Sequence, residues 1–343
     1  MIKARFIKHT LVFKRPSATS RGVLTTKDSW FLILTEKDKS GIGECSILKG
    51  LSHDDQPDFE ATLELFCNQI NTGQALLDLT PWPAIKMGYE TALLSIKSFT
   101  PYTLFPSLYT EAKDSISING LVWMGSFDYM KAQIDSLLVR EFDCIKIKIG
   151  AIDFNEELRL LAQLRNRYDA KTIRIRVDAN GAFAPENALN KLDQLNTYEI
   201  DSIEQPIAIN QWEHMSTLCK KSPIPIALDE ELIGVFDPEI QSELLAQIKP
   251  HYLIFKPSLL GGFSNTQKWI DLAKKHNIAW WVTSALESNV GLNAIAQWTY
   301  SKNPFMPQGL GTGSLFLNNI DSPLVIKKGC LWNDNAIPWG KIF

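Results

Sequence analysis

A chain of 343 residues, 45% hydrophobic and 21% charged, is long enough for a full barrel and one smaller domain, and too apolar to remain disordered. A formal net charge of −3 with dispersed lysines gives no reason to expect nucleic acid or an anionic membrane as partner. No apolar run of about 18 residues and no charged-then-apolar leader stands in the sequence, so the expected compartment is the cytoplasm. The five cysteines (Cys45, Cys67, Cys144, Cys219 and Cys330) include no Cys-x-x-Cys pair, which suits reduced, buried thiols.

Residues 1 to about 55 alternate apolar and polar in runs such as Trp30-Phe-Leu-Ile-Leu-Thr, broken by Lys39-Ser-Gly-Ile-Gly. They predict an antiparallel sheet joined by turns. Two helices follow: Phe59 to Asn71 spaces Leu63, Phe66 and Ile70 helically, and Ala84 to Ser98 does the same with Met87, Leu94 and Ile96. Strands followed by helices, rather than alternating with them, indicate a separate α+β domain over residues 1–112.

From Ser115-Ile-Ser-Ile-Asn-Gly onward the pattern changes to eight strand candidates with amphipathic stretches between them. The last two candidates are Ala279-Trp-Trp-Val-Thr-Ser and a weak one at Met306-Pro-Gln-Gly-Leu-Gly. Helices are expected at Glu156–Arg167, Pro185–Leu195, Trp212–Lys220, Asp237–Ala246, Asn265–His276 and Asn289–Tyr300. Alternating strands and helices are the mark of a (β/α) barrel, placed here at 113–313. The tail, 314–343, returns to strand and turn and is expected to pack back on the first domain.

Five of these strands end in charge. Cys-Ile-Lys-Ile-Lys-Ile carries Lys146 and Lys148, and later β-branched runs close with Asp178, Glu204, Asp229 and Lys256. They recur at intervals of about 25 to 30 residues, the length of one strand-helix unit. Barrel strands deliver catalytic groups at their carboxyl ends, so all five aim at one cup. A single strand-terminal Asp usually caps a helix; three acidic ends in succession at this spacing point instead to a site.

Asp178, Glu204 and Asp229 offer hard oxygen donors without histidine or thiolate, which favours Mg²⁺, with Mn²⁺ able to substitute. Asn180 and Glu230 stand beside these ligands as supporting neighbours. Lys146 and Lys148 are two apart on one strand and point the same way, and mutual repulsion is expected to lower the pKa of one of them into a base's range. Lys256 faces that strand from across the carboxylates. A divalent cation with amine or ammonium on both sides is what removal of a proton α to a carboxylate requires.

Lys146-Ile-Lys148, Asp178-Ala-Asn180, Glu204-Gln-Pro206, Asp229-Glu230 and Lys256-Pro-Ser-Leu-Leu-Gly-Gly262 resemble the ordered motifs of the enolase superfamily, muconate-lactonizing-enzyme subgroup. The resemblance covers essentially the whole chain. It implies an α/β fold: a modified TIM-type barrel under an N-terminal α+β capping domain completed by the C-terminal tail, with Mg²⁺ on Asp178, Glu204 and Asp229, and acid/base lysines at Lys148 and Lys256.

Within the subgroup, Thr283-Ser-Ala-Leu-Glu-Ser288 and Pro307-Gln-Gly-Leu-Gly-Thr312 are similar to segments of the o-succinylbenzoate synthase family. That likeness implies a lyase of menaquinone biosynthesis acting on 2-succinyl-6-hydroxy-2,4-cyclohexadiene-1-carboxylate. Lys148 would take the α-proton and return it to the departing hydroxyl, Lys256 would stay cationic, and Thr283, Ser284 and Gly309 would receive the succinyl carboxylate. Loops at 13–23 and 48–53 would cover the site. Gly309-Leu-Gly311 lacks the Asp-x-Asp of dipeptide epimerases; N-acylamino acid racemization, with the same lysines and metal, is the alternative. The expected partner is a small carboxylate, and a homo-oligomer is compatible with the sequence.

Overall fold

The computed structural model describes residues 1–19 and 22–341. The chain opens with β1 (Lys3–Thr19) and β2 (Gly22–Glu36), paired antiparallel from Lys3↔Thr35 to Thr19↔Gly22, and β3 (Lys39–Ser46) adds along the far side of β2. Helices α1 (Phe59–Thr72) and α2 (Pro83–Lys97) cover one face. Leu32, Leu34, Leu63, Phe66, Ile85 and Ala92 are the buried seam between sheet and helices. Gly43 of β3 and Gly88 of α2 permit this close seating, because a Cβ on Gly43 would strike the Gly88 carbonyl oxygen and one on Gly88 would strike Cys45 Sγ.

Two segments expected as loops have defined geometry. Residues 17–19 pair with 22–24 at the ends of β1 and β2, and 13–16 span a register shift between Val12 and Ser17, so the first segment belongs to a strand pair; Ser20 and Arg21 lie outside the described residues. Residues 48–53 fold as turns, with Leu48 N donating to Ser52 Oγ at 2.8 Å and the His53 ring edge-on to Phe236. Next to them, buried Asp54 accepts a hydrogen bond from Ala84 N at the start of α2 (2.8 Å). Burial pushes its carboxyl up to about 7 against that hydrogen bond.

The run at Ser115 does not enter the barrel whole, as the alternation had suggested. β4 (Ser115–Ser117) pairs antiparallel with a strand near the end of the chain, and the barrel sheet begins with β5 (Gly120–Val122). Only Ile116 of β4 is buried, and a half-buried alternating run suits an antiparallel sheet as well as it suits a barrel.

From β5 the chain alternates strand and helix, with two helices in succession after β10: α3 (Phe127–Val139), β6 (Cys144–Lys148), α4 (Phe154–Arg167), β7 (Arg174–Asp178), α5 (Pro185–Asn196), β8 (Ser202–Glu204), α6 (Trp212–Lys221), β9 (Ile226–Leu228), α7 (Pro238–Ile248), β10 (Tyr252–Phe255), α8 (Pro257–Leu260), α9 (Gly262–Lys275), β11 (Ala279–Val282) and α10 (Asn289–Tyr300). Ser126, Asp153, Asp237 and Ser288 cap α3, α4, α7 and α10 through their side chains. The seven strands β5 to β11 lie side by side in chain order as one curled parallel sheet. The weak eighth candidate forms no extended strand, but it joins the two edges: Gly309 bridges to Thr283 and Gln308 to Ile118, both in parallel sense. Central strands are apolar on the helix side, with Ile145, Ile147, Ile175, Val177 and Ile203 fully buried in the main core.

The tail serves both halves. β12 (Leu324–Lys327) and β13 (Cys330–Asn333) form a small sheet with β4, while Phe316 bridges to Phe13 and Asn318 exchanges hydrogen bonds with Thr10 and Val12 of β1. Across the same boundary Glu44 of β3 accepts from Ser29 Oγ (2.7 Å) and from the amides of Ser288 and Gly291 (2.9 Å each) at the start of α10. Among the described residues no helix is long and apolar enough to cross a membrane.

Candidate active site

Parallel register carries the charged residues to one level. Lys148 of β6 is paired with Asp178 of β7, and Asp178 with Glu204 of β8, so base, acid and acid stand abreast. Asp229 follows β9 and Lys256 follows β10 at the same carboxyl-terminal rim. Alternation along β6 sends Ile145 and Ile147 into the packed core, which leaves Lys146 and Lys148 pointing inward.

The side chains interlock. Lys146 Nζ lies 2.8 Å from Glu204 Oε2 and 3.3 Å from Asp178 Oδ2; Lys148 Nζ lies 2.9 Å from Asp178 Oδ2 and donates to Asn180 Oδ1 at 2.6 Å. Lys256 is ion-paired to Asp229. Asn180, on a left-handed backbone (φ 45°), donates its amide to Glu230 Oε1 at 2.8 Å. Asn tolerates that conformation because its side chain bonds locally.

Burial and proximity then set the charges. Burial disfavours the Lys146 ammonium, yet Glu204 and Asp178 outweigh it and raise its pKa, so the lowering expected from repulsion between the two lysines is not found at Lys146. Lys256 is raised in the same way by Asp229 and Glu230, against burial. Burial would raise Asp178, but Lys148 and Lys146 hold it below the usual carboxylate range. Glu204 goes the other way: burial and the nearby Asp178 push it well above its ordinary value.

These residues fit a hard divalent cation. The donors are all carboxylate oxygens, and buried Glu204 Oε1 has no hydrogen-bond partner, an atom whose desolvation nothing here offsets. A cation among them would hold Glu204 ionised. Among the described residues, no three acidic, histidine or cysteine side chains already converge as a coordination cluster. The ammonium groups lie against the carboxylates instead, so ligation would require those ion pairs to loosen.

Above this charged floor is a cavity of about 400 Å³. Its walls are largely apolar, with Leu24, Leu48, Leu51, Trp123, Leu286 and Leu315 contributing, and Thr283, Ser284 and Gly309 close one side. The three differ in availability. Ser284 Oγ donates to Glu287 and accepts from Thr312, whereas buried Thr283 Oγ1 has no partner. Gly309 has no space for a Cβ, which would enter the Thr283 side chain.

Sequence reasoning missed the basic rim, where Lys14 and Arg15 of β1 and Lys49 line the cavity mouth. It also missed Glu287 and Glu44. A motif search registers Glu287 only as part of Thr283–Ser288, since one of its two partners, Ser258, comes from another segment.

The chain matches the family described as Enolase C-terminal domain-like over residues 129–336. It is 43% identical to the o-succinylbenzoate synthase of Desulfotalea psychrophila, across 94% of this chain and 96% of that protein. The crystal structure of MenC from Desulfotalea psychrophila aligns with a TM-score of 0.87 at 39% identity, over 96% of this chain and 99% of that one. The L-Ala-D/L-Glu epimerase of Bacillus subtilis in its substrate-liganded complex aligns with a TM-score of 0.81 at 18% identity, covering 98% and 96%, which is a likeness of fold.

Proposed function

The chain belongs to the o-succinylbenzoate synthase family of the enolase superfamily and is therefore a hydro-lyase; on that premise we propose that it dehydrates 2-succinyl-6-hydroxy-2,4-cyclohexadiene-1-carboxylate to 2-succinylbenzoate in menaquinone biosynthesis. The observation that supports this reading best is the placement of Lys148 and Lys256 on opposite sides of three carboxylates, on the floor of an apolar-walled cavity. An uncharged ring suits the walls, and its carboxylate suits the floor.

Lys148 acts as the base. As a neutral amine, moved off its contacts with Asp178 Oδ2 and Asn180 Oδ1, it takes the proton α to the substrate carboxylate and then donates that proton to the departing ring hydroxyl. The C–O bond breaks with its electron pair on oxygen, water leaves, and the ring becomes aromatic. Lys256, held cationic by Asp229 and Glu230, stabilises the negative charge that accumulates between the two steps. Asp178, Glu204 and Asp229 would hold Mg²⁺, which when bound supplies positive charge at the substrate carboxylate. Thr283, with its hydroxyl unengaged, is the side chain best placed to receive the succinyl end.

The epimerase reading is weaker, because Gly309 and Gly311 present no carboxylate to hold a substrate amino group. We place the reaction in the cytoplasm, in keeping with five free cysteines. The test is direct: purified protein with Mg²⁺ should convert the cyclohexadiene substrate to an aromatic product identified by mass and NMR. A preference in kcat/KM for a dipeptide or an N-acylamino acid would overturn the assignment.

A further inference from the structure

Glu287 is a fully buried carboxylate that the proposed chemistry does not use. Its Oε1 accepts from Ser258 Oγ at 2.6 Å, and its Oε2 accepts from Ser284 Oγ at 2.6 Å. Ser258 lies two residues beyond Lys256, in the short helix α8 that begins immediately after that lysine. Ser284 follows Thr283 in the cavity wall and accepts from Thr312 Oγ1 at 2.8 Å, in the segment that follows Gly309. One carboxylate thus ties together the ends of three successive barrel segments.

The tie is itself anchored. The next residue, Ser288, caps α10 and donates its amide and hydroxyl to Glu44 of the first domain. Gly291 makes room for both acids: a Cβ there would lie 2.8 Å from Glu287 Cβ and 2.9 Å from Glu44 Oε2. Lys27, also buried, donates to Ser29 and Ser46, and Ser29 in turn donates to Glu44. A buried acid with two hydroxyl donors is well satisfied, and such fully connected networks fix side-chain positions.

We infer that Glu287 is a positioning residue that sets Lys256 through Ser258 and the Thr283 wall through Ser284. The inference rests on the roles given above to Lys256 and Thr283. It assigns distinct effects to the two arms, since Lys256 acts on charge that develops during reaction and Thr283 on ground-state binding.

Steady-state kinetics separate them. Ser258→Ala should lower kcat and Ser284→Ala should raise KM, each by between about tenfold and 10²-fold, the range seen when supporting partners of a site are removed. Glu287→Gln, which keeps the shape but can accept only one of the two hydroxyls well, should do both, and neither serine substitution should add further in that background. Amide hydrogen exchange supplies a readout independent of the reaction: Leu259 and Leu286 should lose protection together in Glu287→Gln. If that variant does not fold, the single serine variants decide, with Ser258→Ala lowering kcat and protection at Leu259, and Ser284→Ala raising KM and lowering protection at Leu286. Parental kcat and KM with a lowered melting temperature, additive serine effects, or exchange changes in Glu287→Gln confined to one segment would each overturn the proposal. Failure of the parent protein to dehydrate the substrate would instead overturn the functional reading, and the exchange arm would still judge the tie.

Discussion

Lys148 and Lys256 are the same residue type but are proposed to do different things, and arginine distinguishes them. A guanidinium stays protonated and cannot act as a base. Lys148→Arg should therefore lose turnover by about 10²-fold or more, whereas Lys256→Arg keeps the charge and should retain partial activity; a Lys148→Arg variant as active as the parent would move the base to another strand. The same residues give the metal prediction. With only carboxylate donors and an unpartnered Glu204 Oε1, activity should vanish in EDTA and return with Mg²⁺ or Mn²⁺, and Asp178→Ala, Glu204→Ala and Asp229→Ala should each be inactive yet folded by circular dichroism. These five charged residues were legible in the sequence because each closes a β-branched run. What separates Thr283 from Ser284 was not, since it depends on Glu287 and Thr312 taking up one hydroxyl and leaving the other.

Elements were read well where periodicity was strong and poorly where a run was short. All eight expected helices fall on observed ones, but α3 and the one-turn α8 were not anticipated. The run at Ser115 splits between two sheets because three alternating residues do not specify a partner. The eighth barrel segment is held by isolated bridges rather than a ladder, and its glycines and proline gave little strand signal. Glycine meant more than punctuation: Gly43 and Gly88 are where β3 and α2 meet. Since a Cβ at Gly43 would strike a backbone carbonyl that no rotamer change can move, Gly43→Ala should cost about 1–3 kcal/mol or more by urea unfolding. An unchanged midpoint would mean that sheet and helix are free to separate.

Stability of the whole molecule should respond to pH through Asp54. Burial holds its carboxyl at about 7 in the folded protein, whereas an unfolded Asp titrates near 4. Between those values the unfolded chain gives up its proton while the folded chain keeps it, so the folded state binds more protons and stability falls as pH rises across that window. The loss could reach about 4 kcal/mol before levelling above pH 7. Melting temperature measured from pH 4 to 8 should decline accordingly, and Asp54→Asn should flatten the decline; an equal slope in both proteins would assign it to another group.

Glu44 and Ser288 are separated by 244 residues, and that distance matters during synthesis. The first sheet leaves the ribosome early, but the helix end that Glu44 caps does not yet exist. Nor do Asn318 and Phe316, which complete the edge of β1. At about 5–20 residues per second, the wait is on the order of 10–50 s. Through that interval β1 is an unguarded edge strand and Glu44 a carboxylate without its amide donors, so the first sheet reaches its final hydrogen bonding only after the end of the chain has been made.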